Sequence, residues 1–410
     1  MSTALMHIIP IALFFIPGLL LWTPKFSVTI GLLTVIYALF YCFKYKSKLN
    51  INKDDFLVFA IFGSYLITNI PITLADENNF RYIDAPSRIL LFFPVYLMFK
   101  NELPKLSIRT PFEYGIIVGA IGAFFISIYQ YYILEMPRVE GFLFSINFGY
   151  LACSLAFLNL SFIKGSSRKG LLICGFLCAS IATTLTLTRG AIIAIPVLFT
   201  LLTWIYRKEI NGRLCILGVV FFIFISGVIY SLSSGVQNRV GYTILEFSSI
   251  AAGDVSVSVS SGGRLQLWLA SIKAFQQSPF IGLTHSEREA LNLSLYNNGT
   301  VTEWVTAVSR GHAHNQYFEM LASNGILSFI TIIMLFGVTT YLLFRNLDSI
   351  YSVSGVIFMS GIAIFGLTEV LLHANIINIY FGFFLAFFLA SSLYGTKDCK
   401  GFIMLKASTS

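Results

Sequence analysis

Long apolar segments separated by short polar connections run along almost the whole sequence. Most of them approach the about 20 residues that a helix needs to cross the hydrocarbon core of a bilayer. Their side chains do not alternate between polar and apolar, as those of a membrane β-barrel strand would. We therefore predict an all-α polytopic membrane protein with about twelve transmembrane helices, at residues 4–22, 27–43, 55–74, 88–99, 111–133, 142–163, 170–187, 190–206, 213–232, 317–344, 350–369 and 375–394.

The composition excludes several soluble classes. Of the 410 residues, 56% are hydrophobic and 11% are charged, whereas a soluble domain carries roughly 25% charged residues. The apolar content excludes a disordered chain, and the length with six cysteines excludes a small secreted disulfide scaffold. None of the cysteines lies in the one large loop, so we predict no disulfide and no zinc site. The first apolar segment has no basic leader and no cleavage site, so we expect a retained helix.

The distribution of basic residues predicts the orientation. With the N-terminus in the cytoplasm, 17 Lys and Arg fall on the cytoplasmic side and 5 in the short outer connections, as the positive-inside rule requires. This predicts cytoplasmic termini, helices 1–9 within residues 1–232, a periplasmic loop at 233–316, and helices 10–12 with a short cytoplasmic tail in 317–410. The excess of Lys and Arg in the cytoplasmic connections then explains the net charge of +8, and we expect no nucleic-acid partner.

The predicted periplasmic loop contains two short helical patterns. Apolar residues at helical spacing predict an amphipathic helix from Arg264 to Gln277, ended by Ser278-Pro279. Ser286 and Glu289 resemble a capping box for a second helix, through Leu295. We expect the amphipathic helix to lie against the bilayer surface or to cap the helix bundle.

Arginines in the outer connections suggest an anion site. Arg189, in Thr-Leu-Thr-Arg-Gly, and Arg264, after two glycines, both lie where a helix is predicted to begin. A helix N-terminus favours anions, and a guanidinium there adds five hydrogen-bond donors for a phosphate. Arg189 could instead reach lipid headgroups. Arg288 stands between Glu287 and Glu289, and a local salt bridge on the surface is the simpler interpretation of it.

Two histidines and a carboxylate complete the candidate chemistry. His312 and His314 directly precede the tenth predicted helix, and Glu319 lies one turn into that helix. A histidine at the membrane edge could act as a base, or could form only structural hydrogen bonds. Spaced i, i+2 without an evident third ligand, the pair does not predict a metal site. Glu369, at the predicted end of the eleventh helix near His373, could pair with Arg189 or another arginine.

These motifs resemble the bacterial O-antigen ligases of the O-antigen ligase/polymerase superfamily. His314-Asn315, nine further residues and Gly325-Ile-Leu fit the motif His-[Asn/Ser/Gln]-x9-Gly-x-x-[Gly/Thr/Tyr], and Ser328 departs from its last position. Thr-Arg189-Gly resembles the family's essential outer arginine, and Glu369 takes the place of an acidic residue in the last outer loop. Further landmarks of the periplasmic loop are Gly263-Arg264-Leu265, Ser278-Pro279-Phe280 and Glu287-Arg288.

The resemblance implies an activity and roles for these residues. Such enzymes transfer a polysaccharide from undecaprenyl diphosphate to a sugar hydroxyl of lipid A-core at the periplasmic face of the bacterial inner membrane, without metal or other cofactor. It assigns catalysis to His314, Arg189 and Arg264, and binding of diphosphate or acceptor to Arg288, His312 and Glu369. Membrane lipids are the remaining expected partners.

Other functions share much of this pattern. An O-antigen polymerase uses the same donor but has two large outer loops where one is predicted here, and a protein O-oligosaccharyltransferase differs only in its acceptor. A flippase or transporter usually places polar residues at the bilayer midplane within broken helices. This sequence has almost no charges within its apolar segments and no internal repeat.

Overall fold

The computed structural model describes residues 3–77, 79–209, 227, 230–231, 234–255 and 260–396, and all of their regular secondary structure is helical. The predicted helix at 213–232 lies almost entirely outside the described residues. The α-helices of the described part run over Thr3–Gly18, Phe26–Lys44, Lys53–Ala75, Arg81–Leu90, Phe93–Glu102, Arg109–Ile128, Ser145–Ser161, Lys169–Leu185, Arg189–Ile205, Ser234–Ala251, Ser261–Gln277, His285–Asn297, Glu303–Thr306, Gln316–Asn324, Ser328–Thr331, Thr339–Phe344, Ile350–Gly366 and Asn375–Tyr394.

A helical polytopic membrane protein is confirmed at the level of its class. Within the described ranges, six segments are long and apolar enough to cross a membrane, and four more apolar helices of 10–17 residues accompany them. The six spans are Phe26–Lys44, Lys53–Ala75, Arg81–Lys105, Arg109–Ile133, Gln316–Phe344 and Asn375–Tyr394. The number of twelve crossings and the division into 1–232, 233–316 and 317–410 stay predictions.

The predicted helix 88–99 is part of a longer helical segment than its apolar pattern indicated. The segment starts at Arg81 and bends at residues 91–92, and Pro94 lies in the first turn of the helix that follows the bend. The first turns carry Arg81, Asp84 and Arg88, so counting apolar residues missed them. This amphipathic start matters because it lies in the wall of the site described below.

The connections at one end of the bundle meet the segment 234–315; we name this the loop end. His285 donates its backbone N–H to the Tyr82 hydroxyl (2.8 Å), and Asn315 donates its side-chain amide to the Leu367 carbonyl (2.9 Å). Connections 76–80, 134–144, 186–188 and 367–374 all lie at this end, since successive helices alternate in direction. At the opposite end, Arg109 binds the carbonyls of Phe162 and Lys164.

Residues 261–308 form a small helical layer whose core also includes Ala322. Leu267, Ala270 and Ala274 of the amphipathic helix pack with residues of the neighbouring short helices, while Leu265 on the other face is exposed. The helix ends at Gln277 as predicted, but it begins at Ser261, three residues before Arg264.

The next helix begins earlier than predicted. Its capping box consists of Thr284 and Glu287, whose side chains bind each other's backbone N–H, so the pair Ser286 and Glu289 was the wrong choice. The helix runs over His285–Asn297. In this helix Arg288 faces the protein interior.

Candidate active site

Arg189 opens a helix at the loop end and keeps donors unused. Leu187 has a left-handed backbone (φ 52°) and Thr188 is extended, so the chain turns sharply into the helix. The Arg189 Nη1 forms an ion pair with Glu246 and donates to the Ser261 hydroxyl (2.9 Å). Its Nε and Nη2 are buried without a hydrogen-bond partner among the described residues. A buried unsatisfied donor costs about 1–3 kcal/mol, so these two groups fit a further acceptor.

Three more arginines approach Arg189, and we name the four the basic cluster. Arg264 comes from the first turn of its helix, Arg138 from the connection 134–144 and Arg239 from Ser234–Ala251. Burial lowers the pKa of Arg138, and the charges of Arg264 and Arg189 lower it further. Burial likewise lowers the pKa of Arg239, together with the charges of Arg189 and Arg138. Since these cations repel one another, the cluster favours an anion such as a phosphate.

The cations of the basic cluster outnumber the carboxylates beside them. Glu140 lies near Arg138, and Glu246, 1% exposed, binds Arg189. The Glu246 carboxylate also accepts from the backbone N–H of Ser261 (3.1 Å), in the first turn of the helix that carries Arg264. Among the described residues, these two carboxylates face four guanidinium groups, which leaves the cluster positive. The sequence did not reveal Arg138, Arg239 or Glu246, because no motif surrounds them and only the tertiary fold brings them together.

A histidine–carboxylate group lies at the same end. The His314 Nδ1 is 3.2 Å from Glu369 Oε2, and the His312 Nε2 is 3.7 Å from Glu369 Oε1. The preceding helix ends at Gly366, so Glu369 lies in a connection instead of ending a helix, and its partners are histidines instead of Arg189. Burial would raise the pKa of Glu369, but the hydrogen bond with His314 and the charges of both histidines hold it below the usual range.

The backbone around His314 is held in an unusual conformation. Non-glycine residues rarely adopt a left-handed backbone, yet His314 has φ 46°. Asn315 fixes the turn: its side chain accepts from the N–H groups of Tyr317 (2.9 Å) and Phe318 (3.1 Å) as a helix cap. Strained backbone persists where surrounding contacts hold it, often at functional sites. In the His-Asn motif, Asn315 therefore fixes the backbone turn, and the turn places the His314 side chain beside Glu369.

Two chemical roles fit this group. One atom each of His312, His314 and Glu369 lie within 4.8 Å of one another, so the three residues could hold a cation. A carboxylate on one ring nitrogen also orients an imidazole as a base, as in activated-nucleophile sites. The sequence offered no third ligand because Glu369 lies 55 residues after His314. The absence of a metal stays a prediction.

The basic cluster and the histidine–carboxylate group adjoin through Thr368. Its Oγ1 lies 2.5 Å from the Tyr150 hydroxyl, and Tyr150 lies within electrostatic range of both Arg264 and Glu369. A Cβ atom on Gly190 would stand 2.3 Å from the Thr368 Oγ1. A glycine after Arg189 therefore lets the start of the helix press against the connection that carries Glu369.

Arg288 is not the surface residue that its neighbours suggested. It is 2% exposed, and its Nη1 and Nη2 bind both oxygens of Glu319 (2.5 and 3.1 Å) in place of Glu287 or Glu289. Its guanidinium also binds the Ser323 hydroxyl and the Gly311 carbonyl. With these contacts Arg288 holds the turn before His312 against the helix that begins at Gln316, instead of joining the basic cluster.

Removing this buried pair's cation should destabilise the protein. We expect Arg288→Met to lower the free energy of unfolding by about 3–5 kcal/mol, because it leaves the Glu319 carboxylate buried without a cation. The additional change Glu319→Leu should recover much of the loss. Thermal unfolding in detergent measures both. Lys164→Met, which breaks the exposed pair with Glu209, is the control and should cost at most about 1 kcal/mol; an equally small effect of Arg288→Met would contradict the assignment.

The glycine of the His-Asn motif has a packing role. Gly325 has φ 55°, and a Cβ atom there would stand 2.5 Å from the Pro279 carbonyl oxygen, which accepts from the Ile326 N–H (2.8 Å). Two landmarks of the resemblance thus contact each other. Ser328, which departs from the motif, donates its hydroxyl to the Gly325 carbonyl (2.7 Å) and so fits the same turn.

Fold and site together define a multi-pass helical membrane protein with a basic cluster beside a histidine–carboxylate group at one end of its bundle. Residues 174–333 match the model of the O-antigen ligase family. This match confirms the resemblance to the O-antigen ligase superfamily that the motifs indicated. It is also 25% identical over 348 residues to an uncharacterized protein of Haemophilus influenzae, across 83% of this chain and 85% of that relative.

Proposed function

We propose that the protein is an O-antigen ligase. It transfers O-polysaccharide from undecaprenyl diphosphate to a sugar hydroxyl of lipid A-core, at the periplasmic face of the bacterial inner membrane with both termini cytoplasmic. The observation that carries this proposal is the basic cluster adjoining His314 and Glu369, since the reaction needs a diphosphate site beside a base. The match to the O-antigen ligase family supports a lipid-linked polysaccharide as the donor class.

In the proposed reaction, the acceptor hydroxyl oxygen attacks the anomeric carbon while the bond from that carbon to the diphosphate oxygen breaks. His314 takes the hydroxyl proton, and Glu369 orients the imidazole and stabilises its protonated form. Arg189 and Arg264, with Arg138 and Arg239, stabilise the charge that develops on the departing undecaprenyl diphosphate, as preorganised cations do. A single displacement inverts the anomeric configuration.

A ligase is favoured over a polymerase by the loops. A polymerase in this superfamily has two large outer loops, whereas in the described residues the segment 234–315 is the one long connection at the loop end. Polymerase and protein O-oligosaccharyltransferase are the alternatives, and they differ from a ligase in the acceptor.

Lipopolysaccharide from cells that lack this protein tests the proposal. We expect bare lipid A-core on a gel and long polymer accumulating on the undecaprenyl carrier, restored by the wild-type gene. Lipid A-core capped with a single repeat would instead identify a polymerase. Unchanged lipopolysaccharide with an unglycosylated surface protein would identify a protein oligosaccharyltransferase.

A further inference from the structure

A cavity of about 480 Å³ opens beside the two site histidines. His312 and His314 lie in its wall, together with residues of the helices Lys53–Ala75 and Arg81–Leu90. Its volume is within the range of ligand pockets, about 300–1,000 Å³. None of the four basic-cluster arginines belongs to its described lining. The histidines therefore line this cavity apart from the basic-cluster arginines, and the cavity has room for a second substrate.

The wall of this cavity is polar and aromatic but carries neutral histidines. His285 stacks on Tyr82 with ring centroids 4.3 Å apart. Burial lowers the pKa of His285 to about 4, helped by the charge of Arg288, and burial also lowers the pKa of His373. Near pH 7 both imidazoles are then uncharged and can each donate and accept a hydrogen bond. Such a surface fits the hydroxyl groups and apolar faces of a saccharide.

Two cations remain at the cavity without a carboxylate partner. The acidic residues of the wall are engaged elsewhere: Asp84 binds Arg88 (2.6 Å) and Glu319 binds Arg288. Arg81 and Arg310 also line the cavity, and neither forms an ion pair with a described residue.

The backbone of Arg310 is constrained in the left-handed region. Its φ is 59°, which costs a non-glycine residue free energy. The Arg310 N–H donates to the Glu289 carboxylate (2.5 Å), which helps to hold this conformation. The fold therefore sustains a strained turn that presents a guanidinium to the cavity.

We propose that this cavity binds the acceptor saccharide and that Arg81 and Arg310 bind an anionic group on it, a phosphate or a sugar carboxylate. This inference rests on the proposed function, because the acceptor hydroxyl must reach His314 from the side away from the diphosphate. Arg81 and Arg310 are specificity-determining residues, while the basic cluster binds the donor.

Initial rates of the purified full-length enzyme test this division. Undecaprenyl diphosphate-linked glycan is held constant while lipid A-core is varied, and then the reverse. Arg81→Gln and Arg310→Asn, which tolerates the left-handed backbone, should each raise the acceptor KM at least about tenfold, as the loss of a charge-assisted hydrogen bond does. The donor KM and kcat should stay within about twofold. Arg345→Gln, at the opposite end, is the matched control.

The acceptor itself identifies the anionic group. If phosphatase-treated lipid A-core abolishes the difference between wild type and variants, Arg81 and Arg310 bind a phosphate; if the difference persists, they bind a sugar carboxylate. An unchanged acceptor KM in both variants, or an equal rise of the donor KM, overturns the inference. A wild-type enzyme that transfers nothing to lipid A-core but lengthens the lipid-linked donor overturns the proposed function instead.

Discussion

Replacing Arg189 by alanine is expected to lower the rate of glycan transfer at least about 10²-fold, the usual cost of removing one preorganised donor to a developing charge. Arg189 is the member of the basic cluster with two buried nitrogens, Nε and Nη2, left unsatisfied among the described residues. These two nitrogens can contact a diphosphate while Nη1 keeps its contacts with Glu246 and Ser261. Because the charge develops in the transition state, kcat should fall more than the donor KM rises. Initial rates with purified enzyme separate the two constants.

The ion pair with Glu246 requires a control for folding. Arg189→Ala leaves a buried carboxylate without its cation, and that alone would destabilise the protein. Combining Arg189→Ala with Glu246→Ala should restore thermal stability but leave transfer slow. Arg207→Ala changes an exposed arginine at the far end of the same segment and should be neutral. Near-normal transfer by Arg189→Ala would refute the role in catalysis, as would recovery of activity in the double variant.

Replacing His314 by asparagine is expected to lower kcat about 10²- to 10⁴-fold, the range for loss of a general base. Asparagine tolerates a left-handed backbone better than most residues, so the turn should survive. His312→Asn should cost less, because the Glu369 carboxylate is closer to His314 (3.2 Å) than to His312 (3.7 Å). His7→Asn, an exposed histidine of the first helix, is the neutral control.

The acid dependence of the rate adds a test of Glu369. Its lowered pKa keeps the carboxylate ionised through the neutral range, so its support of the His314 imidazolium is present above that pKa and is lost only as the pH falls through it. Glu369→Gln should be slow at every pH.

A larger loss in His312→Asn than in His314→Asn would reverse the assignment of the base, and full activity in both would exclude a histidine base.

The sequence was sufficient for features that depend on local pattern. Apolar stretches predicted most of the described helices of the bundle, though not Arg81–Leu90 or Ser234–Ala251, and a motif confined to fifteen residues indicated His314 and the superfamily. Arg288 shows where local reasoning fails. Two glutamates flank it in sequence, but it binds Glu319, 31 residues away. Its helix begins two residues earlier than predicted, and the difference between two overlapping capping boxes is too small to predict from sequence. The packing of the folded layer, and not the neighbouring glutamates, sets the side that Arg288 faces.

Half of the basic cluster was also beyond prediction. Arg138 and Arg239 lie 51 and 50 residues from Arg189, in segments without a motif, and only the alternation of helices brings them to one end. In the count for the positive-inside rule, Arg138 was one of the five basic residues of the short outer connections, and the count gave it no further role. Cations that form a cluster from distant parts of the sequence leave no local pattern, because they come close together only in the folded chain.

Glu246 has a consequence for which anions the protein accepts. Its carboxylate already balances one charge of the basic cluster and caps the helix at Ser261, so an entering anion is bound by the remaining positive charge and by the unused nitrogens of Arg189. A singly charged group, such as a fatty-acid carboxylate or a phosphodiester headgroup, engages only part of that remaining charge. A diphosphate carries more charge and spans several guanidinium groups at once. In a membrane crowded with anionic lipids, the basic cluster therefore selects its ligand by charge number.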